Sequence, residues 1–71
     1  MQEVVIYSDG ILLAQFLKWA NITVSGGESK QRILHGDVSV NNELEERRGR
    51  QLVPDDIVTV DGQSYKIVKG S

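Results

Sequence analysis

The sequence predicts an α+β domain in which two short helices form a hairpin and pack on a small, mostly antiparallel sheet. Three observations carry this prediction. Apolar residues follow helical spacing from Leu13 to Ala20, a capping motif begins at Ser25, and apolar spacing changes to two after Gly36. The predicted order of elements is β-α-α-β-β-β, in one domain that covers residues 1–71.

The first two elements are a strand and a helix. The run from Val4 to Tyr7 is rich in residues that favour strands, and it ends at a Ser-Asp-Gly segment. The helix follows between Leu12 and Ala20, because apolar residues recur there at the i, i+3, i+4 and i+7 positions that face a core. Gln15 and Lys18, three residues apart, are expected together on the opposite, solvated face.

A second helix is predicted from about residue 26 to residue 35. Ser25 and Glu28 match the capping box, in which the serine hydroxyl accepts the amide of residue 28 and the glutamate returns to the amide of Ser25. Gly36 is expected to end this helix in the left-handed conformation. The residues expected to face the core are Ser29, Ile33 and part of Leu34.

The rest of the chain predicts strands joined by turns. Val38 and Val40 alternate with polar residues, which is typical of a strand with one face on a core, and Leu44 is expected to return to that core. Residues 45–51 are interpreted as a polar, charged loop. The turn signals are Asn-Asn at 41–42, Pro-Asp-Asp at 54–56 and Asp-Gly at 61–62, the last of which predicts a closing hairpin.

Composition excludes several classes of protein and site. Cysteine is absent, which excludes disulfides and thiolate metal sites, and the single His35 has no evident nucleophile to activate. No apolar run approaches the roughly 20 residues that cross a bilayer, and the first residues lack the basic start of a signal peptide. We therefore expect a cytoplasmic protein that is not an enzyme, binds no metal or cofactor, and does not associate with membranes.

Charge is unevenly distributed along the chain. The formal net charge is −2 and the isoelectric point about 5.2, whereas nucleic-acid-binding domains tend to be basic. The basic residues nevertheless cluster, at Lys30 and Arg32 and again at Arg47, Arg48 and Arg50, and carboxylates flank the second cluster on both sides. Any face that binds nucleic acid must therefore be produced by folding.

Several segments, taken in order, match a known family. They are Gln15–Lys18, Ser25–Lys30, Gly36–Asn41, Arg47–Arg50 and Pro54–Val58. This pattern, which spans about Leu12 to Val60, resembles the S-four (S4) domain, or alpha-L RNA-binding motif, and in particular its short stand-alone bacterial members of the YaaA/YbcJ type. The chain departs from the family at Gly26, where many relatives are basic, at Arg32, where many are apolar, and at Asp55, where glycine is usual.

The resemblance implies a protein that binds structured RNA. The implied partner is ribosomal RNA more than transfer RNA, and the protein would bind ribosomal particles. The implied process is ribosome assembly or translation. Recognition would rest on phosphate contacts from the helix pair and from a loop of arginines, with the glycines at the start of the second helix exposing free amides. The implied contact residues are Lys18, Gly26, Gly27, Lys30, Arg32, Arg47, Arg48 and Arg50.

Each of these features also has a structural interpretation. The glycine pair can be a plain helix start, and the arginine run can be a solvated loop paired with Glu45 and Glu46. Trp19 is expected in the core or at its edge rather than as a platform for an RNA base. The rival function is a small protein-interaction module without direct RNA contact, which would dock through Trp19, Leu12 or Tyr7.

Overall fold

The computed structural model describes residues 1–71 and contains two helices and seven strands. The predicted β-α-α-β-β-β series is present, and three strands of two residues each are added to it. Neither helix has the length and apolarity needed to span a bilayer. The helices are α1 (Leu13–Trp19) and α2 (Gly26–Leu34), and the strands are β1 (Gln2–Ile6), β2 (Ile11–Leu12), β3 (Val38–Val40), β4 (Glu43–Leu44), β5 (Gln51–Leu52), β6 (Ile57–Val60) and β7 (Gln63–Lys69).

Five of the strands form a mixed sheet in the order β1-β7-β6-β3-β4. The first strand runs parallel to β7, and every other neighbouring pair in this sheet is antiparallel. The predicted α+β class and mostly antiparallel sheet are therefore confirmed. The short strands β2 and β5 pair apart from this sheet, with Ile11 opposite Leu52 and Leu12 opposite Gln51.

The helices and strands enclose one core of twelve buried apolar side chains. From α1 come Leu13, Phe16 and Leu17, which are completely buried as the helical spacing predicted. From α2 come Ile33 and the polar Ser29, whose hydroxyl is hydrogen bonded to that of Thr23 and is therefore buried without an unmet partner. The strands contribute Val4, Ile6, Val38, Val40, Leu52, Val58, Val60 and Ile67.

The predicted capping of α2 is confirmed at Ser25 and wrong in one detail. The Ser25 hydroxyl accepts a hydrogen bond from the amide of Glu28 at 3.1 Å. The Glu28 carboxylate does not return to the amide of Ser25, because it accepts the amide of Val24 instead, at 3.2 Å. Gly36 follows the helix with a φ of 79°, the left-handed conformation that the sequence predicted.

Replacing the cap residue tests how much this contact stabilises α2. We expect Ser25→Ala to lower the free energy of unfolding by about 1 kcal/mol, because the amide of Glu28 loses its acceptor. Ser25→Asp is the matched control, since aspartate is an equally good cap, and it should retain wild-type stability. Urea unfolding of the three proteins measures the difference. Equal loss in both variants would contradict the capping role.

Turns adopt left-handed backbone conformations at the predicted positions. Asn41 and Asn42 have φ values of 52° and 70°, and Asp61 and Gly62 have values of 54° and 77°. Two successive residues with positive φ form the tight turns that match the twist of a β-hairpin. Asp55 has a φ of 80°, which accounts for the glycine usual at this position in the S-four pattern, since glycine adopts this conformation without strain.

Two apolar residues are more exposed than predicted. Leu44 faces solvent because the Asn-Asn turn sets a register in which it pairs with Ser39, whose side chain points away from the core. Leu34 lies at the last position of α2 and is also exposed, so only Ser29 and Ile33 of the predicted inner face are buried. Trp19, which was expected in the core or at its edge, is about half exposed and is not among the residues that pack against the core.

Candidate nucleic-acid interface

The arginine loop, residues 47–50, is docked against the start of α1. This helix begins at Leu13, and Leu12 before it provides no capping side chain. Its first amides are satisfied by the loop instead, because Leu13 N–H donates to the carbonyl oxygen of Arg50 at 2.8 Å and Ala14 N–H donates to that of Arg48 at 3.3 Å. Two backbone hydrogen bonds therefore fix the position of the loop relative to α1.

The loop is also held from within by a buried carboxylate. Glu45 has a side chain only 6% exposed, and it accepts hydrogen bonds from Arg47 Nε at 3.0 Å and from Arg50 Nη1 at 2.7 Å. It accepts two further bonds from Arg47, through Nη2 and the backbone amide. These hydrogen bonds, first those from Arg47 and then those from Arg50, lower the pKa of Glu45 from 4.5 to about 2 despite the opposing effect of burial.

This role of Glu45 was not predicted. Residue 45 was expected in a solvated loop, with a surface ion pair to the arginines as one interpretation, whereas the carboxylate is buried and bridges two arginines. A signal was present in the sequence, because an acid two and five residues before arginines can reach both when the chain turns at Gly49. Helical and strand periodicity cannot reveal such a contact, which depends on how the loop packs against α1.

A groove of about 670 Å³ runs beside α1 and reaches the start of α2. We call it the α1–α2 groove. Lys18 lies in its wall together with Gln15, as predicted for residues three apart on the solvated face of α1. A Cβ atom added to Gly26 would meet no heavy atom within 4 Å, so the space at this end is open. Its lining residues are Ile11, Ala14, Gln15, Lys18, Trp19, Asn21 and Gly26.

Ala14 connects the groove to the arginine loop. It lines the groove, and its amide is the group that donates to the carbonyl oxygen of Arg48. The fold therefore brings together three of the predicted segments: the arginine loop, the outer face of α1 and the glycine pair that starts α2. Lys30 follows Gly26 by four residues, which places it one turn along the same face of α2, where it is exposed.

The model of the family described as "S4 domain" matches residues 4–68 of the chain. The chain belongs to the S4-domain family. Membership confirms the predicted resemblance, and it confirms the prediction that the protein is not an enzyme. Membership also supports a role in RNA binding.

Two relatives of this S4 domain differ in how much of their own length the match covers. It is 41% identical over 64 residues to the probable ribosome maturation protein RlbA of Bacillus subtilis, a match covering 89% of this chain and 90% of that protein. It is 51% identical over 37 residues to the small ribosomal subunit protein uS4m of Schizosaccharomyces pombe, which covers 52% of this chain but 11% of that protein.

A solved structure matches the fold. The S4 domain superimposes on the 30S ribosomal protein S4e from Thermoplasma acidophilum with a TM-score of 0.63 and 16% identity. The match covers 83% of this chain and 31% of the S4e chain. At so low an identity, the likeness supports the arrangement of helices and strands alone.

The predicted cations of the S4 domain differ in whether a carboxylate holds them. Lys18, Lys30 and Arg48 take part in none of the ion pairs of the structure. Arg47 is bound to Glu45, yet its side chain remains 76% exposed and its Nη1 is not used by that contact. The S4 domain therefore combines three unpaired cations with two loop arginines, Arg47 and Arg50, that Glu45 holds in place.

Arg32 lies elsewhere on the S4 domain. Its guanidinium contacts Asp61 at 2.6 Å and Asp37 at 3.2 Å, which ties the end of α2 to the turn between β6 and β7. The hydrogen bond that Arg32 donates to Asp61, together with the charges of Asp61 and Asp37, raises the pKa of Arg32, with burial acting in the opposite direction. Of the eight predicted contact residues, Arg32 is the one whose charge is matched by two carboxylates. No group of three or more His, Asp or Glu side chains is arranged to hold a metal ion.

Proposed function

We propose that residues 1–71 act as a single RNA-binding domain that recognises structured RNA by phosphate contacts from the helix pair and the arginine loop. Ribosomal RNA is the proposed target ahead of transfer RNA, in ribosome assembly or translation in the cytoplasm. The proposal is supported by membership of the S4-domain family and by the names of the two relatives, a ribosome maturation protein and a ribosomal subunit protein.

One observation supports phosphate contacts by particular residues. Lys18, Lys30 and Arg48 are exposed and have no carboxylate partner. Lys18 lines the α1–α2 groove, the carbonyl oxygen of Arg48 accepts the amide of Ala14 in its wall, and Lys30 lies one helical turn after Gly26. Exposed ion pairs contribute only about 0–1 kcal/mol to stability, and unpaired cations contribute less. Stability therefore gives no reason to gather these charges, whereas phosphate binding does.

The acidic net charge is compatible with this site because several carboxylates are already engaged elsewhere. Asp37 and Asp61 hold Arg32, and Glu45 is buried beneath the arginine loop. The helix geometry of α2 leaves the amides of Gly26 and Gly27 without partners, so they are available to a phosphate oxygen. The full set of proposed contact residues remains Lys18, Gly26, Gly27, Lys30, Arg32, Arg47, Arg48 and Arg50, with Arg32 the least available.

Crosslinking in a bacterial lysate tests the proposal. The tagged protein is irradiated with ultraviolet light, purified under denaturing conditions, and the attached RNA is sequenced. We expect ribosomal RNA to be enriched over a tagged control protein of similar size and charge, in segments that form defined secondary structure. Recovery of no RNA above that background would contradict the proposed function, and enrichment of transfer RNA would redirect it.

A further inference from the structure

Trp19 presents an aromatic surface to solvent at the end of α1. Its indole N–H donates to the carbonyl oxygen of Val5 at 2.8 Å, which ties the ring to β1. The residue is nevertheless 53% exposed. Because the single polar atom of the ring already has a partner within the protein, the exposed part is a carbon surface held in place by that bond. Exposure of such a surface contributes nothing to folding stability.

A second groove lies on the other side of this ring. It has a volume of about 280 Å³ and we call it the aromatic groove. Tyr7, which is 70% exposed, lines it together with Trp19. Ile11 and Trp19 line both this groove and the α1–α2 groove, so the two grooves are adjacent. The other residues that line the aromatic groove are Ile6 and Ser8.

The chemistry of the two adjacent grooves favours a nucleotide as their occupant. Lys18 is the one charged residue in the lining of the two grooves, and no carboxylate is present there. Gln15 and Asn21 add side-chain amides, which both donate and accept hydrogen bonds. An aromatic side chain stacks on the face of a base, side-chain amides hydrogen bond to its edge, and a cation binds its phosphate. An apolar peptide would use the aromatic face and leave the cation without a partner.

We propose that Trp19 and Tyr7 stack on one unpaired base of the bound RNA while Lys18 contacts the phosphate next to it. This inference rests on the proposed function and narrows its target. The preferred RNA is a helical segment with a single-stranded nucleotide at its end or in a bulge, rather than a fully paired duplex. Such a base is free to leave the stack and reach an aromatic side chain.

The fluorescence of Trp19 provides the test, because it is the only tryptophan of the chain. Two RNAs are titrated into the protein: a blunt-ended hairpin, and the same hairpin with a short single-stranded adenosine extension. We expect the extended RNA to quench the tryptophan fluorescence in a saturable manner and to bind about 5- to 100-fold more tightly than the blunt one. The blunt hairpin should bind without comparable quenching.

Two variants separate stacking from packing. Trp19→Phe and Trp19→Leu both lose the hydrogen bond to Val5, but only phenylalanine keeps an aromatic face. With labelled RNA, Trp19→Phe should keep most of the preference for the extended hairpin, and Trp19→Leu should bind both hairpins equally. Leu34→Ala, an exposed apolar change on α2 outside both grooves, is the distal control and should keep the full preference.

The outcomes distinguish this site from the proposed function. Equal affinity for both hairpins without quenching would overturn the stacking site and leave RNA binding intact. No binding of either hairpin, nor of the RNA recovered by crosslinking, would overturn the proposed function and the site with it. If Trp19→Leu leaves both affinities unchanged but releases the protein from ribosomal particles, the aromatic surface binds a protein and the inference is wrong.

Discussion

Reversing two charges beside the α1–α2 groove is expected to weaken RNA binding by at least about 100-fold at ~0.1 M salt. Each charge-assisted contact that is lost removes roughly 1.5–3 kcal/mol of binding free energy. The variant is the double substitution Lys18→Glu with Arg48→Glu. Both side chains are exposed and neither takes part in an ion pair, so the fold should be unaffected. The affinity is measured by titration with the RNA identified by crosslinking.

A matched control separates the local site from the overall charge. Lys66→Glu with Lys69→Glu changes the net charge by the same four units, on β7 and away from the groove. These lysines contact Asp55 and Asp9 at the surface, pairs that contribute little to stability. The control should lose affinity by only a few fold through long-range repulsion. Equal losses in the two variants would show that binding follows net charge rather than this groove.

Neutralising Glu45 is expected to lower the free energy of unfolding at pH 7 by about 1–3 kcal/mol. Two arginines lose the carboxylate that anchors them, and polar groups beneath the loop lose their hydrogen-bond partner. The loss stays within that range because Arg47 is largely exposed and water screens its interaction with Glu45. Glu45→Gln is the conservative variant, with nearly the same shape and no charge. Glu46→Gln changes an exposed neighbour and should shift the stability by less than about 0.5 kcal/mol.

Glu45 also makes the folding stability of the protein depend on pH in the acid range. The pKa of Glu45 is about 2 in the folded protein and 4.5 without its partners. A carboxylate with a depressed folded pKa stabilises the fold fully above its unfolded pKa, and this contribution is lost as the pH falls through the folded pKa. The stability difference between the wild type and Glu45→Gln should therefore shrink between about pH 5 and pH 2. A difference that is constant with pH would contradict the pKa of Glu45.

The architecture could be predicted from the sequence because each helix and the main strands show their own apolar spacing, capping residue or turn residues. The helical spacing of Leu13, Phe16 and Leu17 identified the buried face of α1, and Ser25 identified the start of α2. The two-residue strands β2, β4 and β5 were missed, because two residues are too few to show a period. Leu44 was placed on the wrong face because the turn before it, rather than its own apolarity, sets the register of β4.

The sequence pointed to the cations of the candidate site but not to how folding arranges them. Clustering in the sequence and the family resemblance drew attention to the cations, but the sequence does not say which cations carboxylates hold. Arg32 is held by Asp61, which is 29 residues away in the chain. The role of Glu45 and the half exposure of Trp19 likewise follow from tertiary packing, of the loop on α1 and of the indole on β1.

The salt dependence of RNA affinity tests phosphate recognition at this site most directly. For the wild type, contacts from Lys18, Lys30 and Arg48 should give a slope of log affinity against log salt concentration of about −2 to −3. In the Lys18→Glu, Arg48→Glu variant, the loss of two contacts should bring the slope closer to zero by about 1.5. A wild-type slope near zero, or the same slope in both proteins, would contradict binding through these cations.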